Sequence, residues 1–368
     1  MRRAEQGFLA AGTGGIVLCM LGASLDAKAM LGAWLPAALF ALSLPLGALT
    51  ILMVHGLTGG RWGEAVRQPL RIMIAMLPFA VILLLPVLMR LDVIFPWAGA
   101  DAAMLPENVR EKLIYLNVPF FLLRFAACAA IWLALAWTMP SGADQAKRGG
   151  GRKYALGLIL HGLAVSVFAI DWMLSLEPEF ISTIYALCEA SAEVVGAFAL
   201  AILVVAATRS VEVLPGGDED VALSEDLANM QFGFLLTWIY LVFMQWIVVW
   251  GGDLPDEIHW YIVRVTDGWQ YLLWLLIALQ VAAFAGSLSR PLKRNHDGLI
   301  WLAGVALAGH FVDVFWRIRP PLLSGDLLAL WHDAIAWMGL GGLWLALFLF
   351  LLRRPDRITW WKREVAHG

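Results

Sequence analysis

About ten runs of roughly twenty apolar residues recur along the 368-residue chain, and they restrict its fold more tightly than anything else in the sequence. They cover approximately 8–22, 30–57, 70–89, 113–138, 154–172, 184–207, 230–250, 269–288, 299–319 and 328–352. In hydrocarbon every backbone N–H and C=O must find a partner inside its own segment, so runs of this length become helices. The expected fold is therefore all-α, a single polytopic membrane domain of about ten transmembrane helices. Composition agrees: 61% of residues are hydrophobic and only 15% charged, too little polar material to coat a soluble core. Pro36, Pro45, Pro78 and Pro86 fall inside these runs, where packed membrane helices tolerate them because neighbouring groups satisfy the freed carbonyls.

Most of the 26 Lys and Arg residues lie in alternate connections. Arg2 and Arg3, then Arg61, Arg67 and Arg71, then Lys147, Arg148, Arg152 and Lys153, then Arg290, Lys293 and Arg294, and finally the basic tail, share one side if the helix count is even. From that asymmetry both termini are expected in the cytoplasm, with the chain in an inner membrane. The first run, with its preceding arginines, resembles a signal peptide, but no convincing cleavage site follows it, and it is expected to stay as helix one. The outward connections 90–112 and 251–267 are long and rich in Pro, Trp and acids, the features of loops that make specific contacts. A net charge of −3 gives no electrostatic reason to expect nucleic acid as a partner.

Cys19, Cys128 and Cys188 each sit in an apolar stretch, without CxxC or CxxCH spacing. No iron–sulfur, metal or c-type haem site is expected, and the thiols read as small buried hydrophobes. His161 and His310, the two histidines nearest mid-membrane, are the only pair that a b-type haem would suit, and other roles fit them better. His55, His332 and Asp333 lie near helix ends and read as solvated or capping groups. Trp246, Trp250, Trp260, Trp269 and Trp274 read as an interfacial aromatic belt.

Ionisable groups within apolar runs cost several kcal/mol unless paired or hydrated, so each calls for a role. Arg124 lies about eleven residues into the fourth run, and its expected partner is Glu193 or Asp313. Glu189 and Glu193 stand four residues apart on one face of the sixth run. His310, Asp313 and Arg317 share a face of the ninth. The candidate site residues are thus Asp171, Glu189, Glu193, His310, Asp313, Arg124 and His161. Glu189, Glu193, His310 and Asp313 are expected to line one polar track with Asp171 at its mouth, a path for protons or a lining near a quinol. Structural hydrogen bonding between helices is the alternative.

Five segments resemble a known family: "HGLTGGRWGEAVRQPLR" (55–71), "KLIYLNVPFFLLRF" (112–125), "DWMLSLEPEFISTIYAL" (171–187), "TWIYLVFMQWIVVWGGDLPDEIHWYIVR" (237–264) and "GHFVDVFW" (309–316). They resemble, in order, the quinone-binding subunit 2 (ActF) family of alternative complex III, in the NrfD-like polysulfide-reductase superfamily of membrane subunits. The resemblance implies two four-helix bundles with flanking helices. It implies a paralogous NrfD-like membrane subunit, a periplasmic iron–sulfur subunit and c-type cytochrome subunits as partners. It further implies a subunit without a redox cofactor of its own, in a complex that oxidises quinol. The sequence departs from the family pattern at "RQPLR", where an acid is expected after the basic pair, and at Asp253, where an Asn is usual. The leading expectation is a non-redox subunit contributing an outer proton half-channel or an acid cluster beside the quinol. The alternatives are a quinol-binding catalytic subunit, which would need an apolar cleft open to lipid and ending on an acid and a histidine, and a secondary transporter.

Overall fold

The computed structural model describes residues 2–139, 151–209, 218–323 and 330–355. The basic connection around Lys147 and Arg148, and the tail beyond residue 355, lie outside the described residues. Ten helices among the described residues are long and apolar enough to cross a membrane. They are α1 (Arg2–Leu25), α2 (Ala27–Thr58), α3 (Arg61–Leu88), α4 (Val118–Thr138), α5 (Gly151–Trp172), α6 (Tyr185–Arg209), α7 (Asp218–Gly252), α8 (Trp269–Leu288), α9 (His296–Ile318) and α10 (Trp331–Arg353). The chain is an all-α, multi-pass membrane protein.

Helices α2–α5 pack as one group of four and α6–α9 as a second, joined along α2 and α6. Helix α1 lies beside α10, outside both groups. Helix α2 is the hub, touching α3, α5, α6, α9 and α10, and nearly all of its length is buried. Close contact along the seams depends on small residues, as expected where lipid provides no hydrophobic drive between helices. A Cβ at Gly47 would lie 2.0 Å from the carbonyl oxygen of Glu193, so α2 and α6 touch backbone to backbone. Gly12 and Gly15 of α1 meet Gly342 and Gly339 of α10 in the same way.

Proline breaks are used rather than merely tolerated. Pro45 has no N–H for the carbonyl of Ala41, and the indole N–H of Trp344 donates to that oxygen instead (3.1 Å). Helix α3 breaks at Met76 and again at Leu83–Leu84, ahead of Pro78 and Pro86. The Leu83 carbonyl left free by the second break accepts from the indole of Trp34 (2.7 Å).

The segments 89–117, 173–184 and 253–268 gather at one end of the helices, the loop-rich face. Phe95 and Trp97 in the first of these stack with Phe121 of α4, at centroid distances of 5.5 Å each, and Phe121 continues to Trp172 of α5 at 5.4 Å. Helix α4 starts later than its apolar run suggests. The side chain of Asn117 accepts from Phe120 N–H, and Pro119 occupies the first turn, so the helix is capped at residue 117 rather than beginning near 113.

Candidate functional site

The later start of α4 changes the position of Arg124. It stands six residues into the helix, about 9 Å along its axis, rather than at mid-membrane. Its partner is neither Glu193 nor Asp313. Asp171, at the end of α5, accepts from Arg124 Nε (2.8 Å) and Nη2 (2.9 Å) in a two-pronged pair, and the carbonyl of Tyr115 accepts from Nη1 (2.9 Å). The guanidinium also stacks on Tyr115 and Phe120, at 3.7 and 4.3 Å. Every nitrogen of Arg124 is therefore engaged. Asp171 belongs to this pair in the first four-helix group and is not the mouth of a track formed by Glu189, Glu193 and Asp313. Consecutive antiparallel helices α4 and α5 bring these two residues to one depth, and that neighbourhood settles the pairing.

The second charged cluster centres on Arg317, at the end of α9. Its Nε and Nη2 donate to the two carboxylate oxygens of Asp313, one turn earlier, at 3.0 and 2.8 Å. Its Nη1 donates to Glu189 of α6 at 2.5 Å. Glu193 is buried one turn further along α6, and its Oε2 has no hydrogen-bond partner among the described residues. Glu189, Glu193 and Asp313 are thus brought together by the packing of α6 on α9, with Arg317 between them.

His310 turns away from that centre. Its Nε2 lies 2.8 Å from the Ser43 hydroxyl of α2, and its ring packs on Phe40 and against Gly196. His161 makes the equivalent contact with Thr50 of α2 (2.8 Å), so the two histidines engage separate hydroxyls. His55, His332 and Asp333 are buried rather than solvated. Asp333 accepts from Arg319 (2.8 Å), and His55 Nε2 reaches the carbonyl of Gly60 (3.0 Å). Of the tryptophans read as a belt, Trp246, Trp250 and Trp274 are exposed, whereas Trp260 and Trp269 are buried.

Arg264, the last residue of the segment 237–264, closes the site from the loop-rich face. It is 1% exposed and lies just after the short helix Pro255–Val263. Its Nε and Nη2 donate to the carbonyl of Arg317 (3.1 and 2.7 Å), capping the C-terminus of α9. Nη2 also donates to Glu177 (2.5 Å) and Nη1 to the carbonyl of Trp260 (2.7 Å). Burial lowers its pKa and the carboxylate of Glu177 works against that. Trp316 returns a bond to the Arg264 carbonyl (3.0 Å). The motif ending in "HWYIVR" carries this residue, but nothing local in it indicates a helix end 53 residues away in a different span.

Between α7, the Pro255–Val263 helix, α8 and α9 lies a cleft of about 740 Å³. Its polar residues are Asp313, Arg317, Tyr185, Gln245, Tyr261 and Gln280, and the rest of its wall is almost entirely apolar. Phe243, Ile277 and Val281 line its edge and are exposed on the surface that lipid would cover. Phe243, Trp246 and Trp250 form a stacked ladder along α7 beside it, with centroids 5.9 Å apart at each step. Burial pushes the Tyr261 phenol up to about 12, which keeps it a neutral hydrogen-bonding group. Its oxygen accepts from Gln245 (3.4 Å), and Gln245 in turn accepts from Ser182 (3.2 Å). An apolar gallery with a few convergent polar groups is the form of a site for an amphiphile.

No family model matches this chain, and no curated protein matches its sequence.

Among the described residues no group of three or more His, Cys, Asp or Glu is placed to hold a metal ion.

Proposed function

We propose that this chain is an integral-membrane subunit of a quinol-oxidising complex, in which the cleft between α7, α8 and α9 receives the quinol ring and the acid cluster around Arg317 takes its proton. The single observation that carries this reading is the junction of the two features: the apolar cleft, open at the lipid-facing surface, ends on Asp313 and Arg317. A long isoprenoid-like tail suits the exposed edge at Ile277 and Val281, and a polar ring suits the end formed by Asp313, Gln245 and Tyr261.

Oxidation of a quinol to a quinone releases two protons and two electrons. One guanidinium faces three carboxyls here, and Glu193 has no cation of its own, so the cluster is built to take up and give back protons. The electrons require a redox centre on a partner, and the iron–sulfur and c-type cytochrome subunits implied by the sequence resemblance are the class of partner that fits. A paralogous membrane subunit belongs to the same proposal, as do the bacterial inner membrane and cytoplasmic termini. The cleft favours the quinol-proximal form of the function over a continuous proton channel, because His310 and Asp171 are held by other groups.

The test is native purification of the tagged chain followed by Asp313→Asn in the same complex. Haem c and iron–sulfur spectra should accompany the chain, and quinol oxidation should fall about a hundredfold while assembly is unchanged, the scale of losing a positioned general base. A chain that purifies without redox partners, or a normally assembled Asp313→Asn complex with unaltered turnover, would refute the proposal.

A further inference from the structure

Two glutamine side chains line the cleft, and only one of them is satisfied by the protein. Gln245 is engaged by Ser182, Cys188 and Tyr261. Gln280 of α8 is 6% exposed and faces the same cleft, yet its Oε1 has no hydrogen-bond partner among the described residues. A buried amide oxygen left without a donor is destabilising, so its presence in a largely apolar wall requires a cause. A Cβ on Gly309 of α9 would come 2.8 Å from Gln280 Nε2, so the glycine leaves the space in which that end of the amide lies. Gly309 precedes Asp313 by four residues on α9. The Gln280 amide therefore sits about one helical turn, ~6 Å along α9, from Asp313 on the N-terminal side of it.

The two acceptors stand on different helices, about a turn apart along α9, and a ring with two opposed hydroxyls can bridge acceptors so placed. The oxygens of a 1,4-hydroquinone stand at opposite ends of the ring, and each hydroxyl reaches an acceptor beyond it by one hydrogen-bond length. We infer that Gln280 is the residue that fixes ligand specificity in the cleft: its amide oxygen accepts a hydrogen bond from one ring hydroxyl while Asp313 accepts from the other. The cleft then selects a 1,4-dihydroxy ring, set upright along α9, over an amphiphile that carries a single hydroxyl. This inference rests on the reading of the cleft as a quinol site and adds to it the residue that recognises the second hydroxyl. A bound water in place of the second hydroxyl would satisfy the same oxygen without giving any preference between the two ligands.

The experiment uses the full chain in lipid nanodiscs and two probes that partition into lipid similarly, 2-decylhydroquinone and 3-decylphenol. Binding is followed by quenching of tryptophan fluorescence, and each probe is titrated into the native chain and into Gln280→Leu, Gly309→Ala and Ile277→Trp. The native chain should bind the hydroquinone about tenfold more tightly than the phenol, the equivalent of one net hydrogen bond of about 1.4 kcal/mol. Gln280→Leu should bind both probes as the native chain binds the phenol. Gly309→Ala, which displaces the amide without removing it, should lose most of the preference and provides the same comparison if Gln280→Leu does not fold. Ile277→Trp, at the edge of the cleft, should weaken both probes equally. If neither probe binds the native chain, or Ile277→Trp leaves both affinities unchanged, the cleft is not the site and both readings are overturned. If Ile277→Trp blocks both probes but Gln280→Leu or Gly309→Ala retains the full tenfold preference, only the assignment of Gln280 is overturned.

Discussion

Removing one side of the Arg124–Asp171 pair tests the least expected feature of the structure. Arg124 is 8% exposed and Asp171 1%, and the pair is closed by two charge-assisted hydrogen bonds of 2.8 and 2.9 Å. Arg124→Met keeps most of the stem and removes the guanidinium. It strands the carboxylate of Asp171 in a buried setting and leaves the Tyr115 carbonyl without its donor. The stranded charge dominates, at about 3–5 kcal/mol for a broken buried pair. The double variant Arg124→Met with Asp171→Leu removes both charges together, and replacing a whole buried pair by apolar groups is close to neutral or stabilising. The double variant should therefore recover most of what the single variant loses. The assay is chemical unfolding of the full chain in detergent micelles, with the amount of chain in membranes as a second readout. Arg124→Met combined with Asp313→Leu should show no such recovery, because Asp313 belongs to Arg317 and the two losses should add. Recovery with Asp313→Leu or with Glu193→Leu, and none with Asp171→Leu, would refute the pairing.

Two further outcomes follow from packing and topology. Gly47→Ala forces a methyl to within 2.0 Å of the Glu193 carbonyl oxygen and should cost about 1–3 kcal/mol by parting α2 from α6, whereas Gly14→Ala, with nothing within 4 Å, should be neutral or slightly stabilising in the same unfolding measurement. Reporter fusions at Gly59 and Pro255 should report opposite compartments, cytoplasmic and periplasmic respectively, and a shared compartment would overturn the orientation read from the basic connections.

The quinol-proximal reading also changes how the acidic cluster is to be regarded. A structural role and a proton-accepting role both require Arg317 to be held, and the structure holds it with Asp313 and Glu189. The difference lies in access. Asp313 and Arg317 line the cleft, while Glu189 and Glu193 stand behind them on α6. On the proposed function, a proton received at Asp313 would have a carboxyl on a second helix as its neighbour, and Asp313→Asn would interrupt that exchange without changing the shape of the site.

By itself the sequence determined the number of spans, the span that carries each ionisable group, and contacts internal to one helix. The Arg317–Asp313 bond belongs to this class, because residues four apart on a helix share a face whatever surrounds them. So does the proximity of Glu189 to Glu193. Boundaries slipped where a local signal outweighed hydropathy, as at Asn117 and Pro119, which move the start of α4 and with it the position of Arg124, and where a helix runs on past its apolar stretch, as at the starts of α1, α3 and α7 at Arg2, Arg61 and Asp218. Only the tertiary structure decided which helices meet and how each is rotated about its axis. In a soluble protein an apolar stripe announces the buried face, but helices apolar all round, as in a membrane, carry little such instruction. Arg124 therefore could not be matched to Asp171 from spacing. The turn of His310 toward Ser43, the capping of α9 by Arg264 and the cleft that ends at Asp313 are likewise products of helix order and rotation, set by where glycines permit close approach and where large side chains hold helices apart.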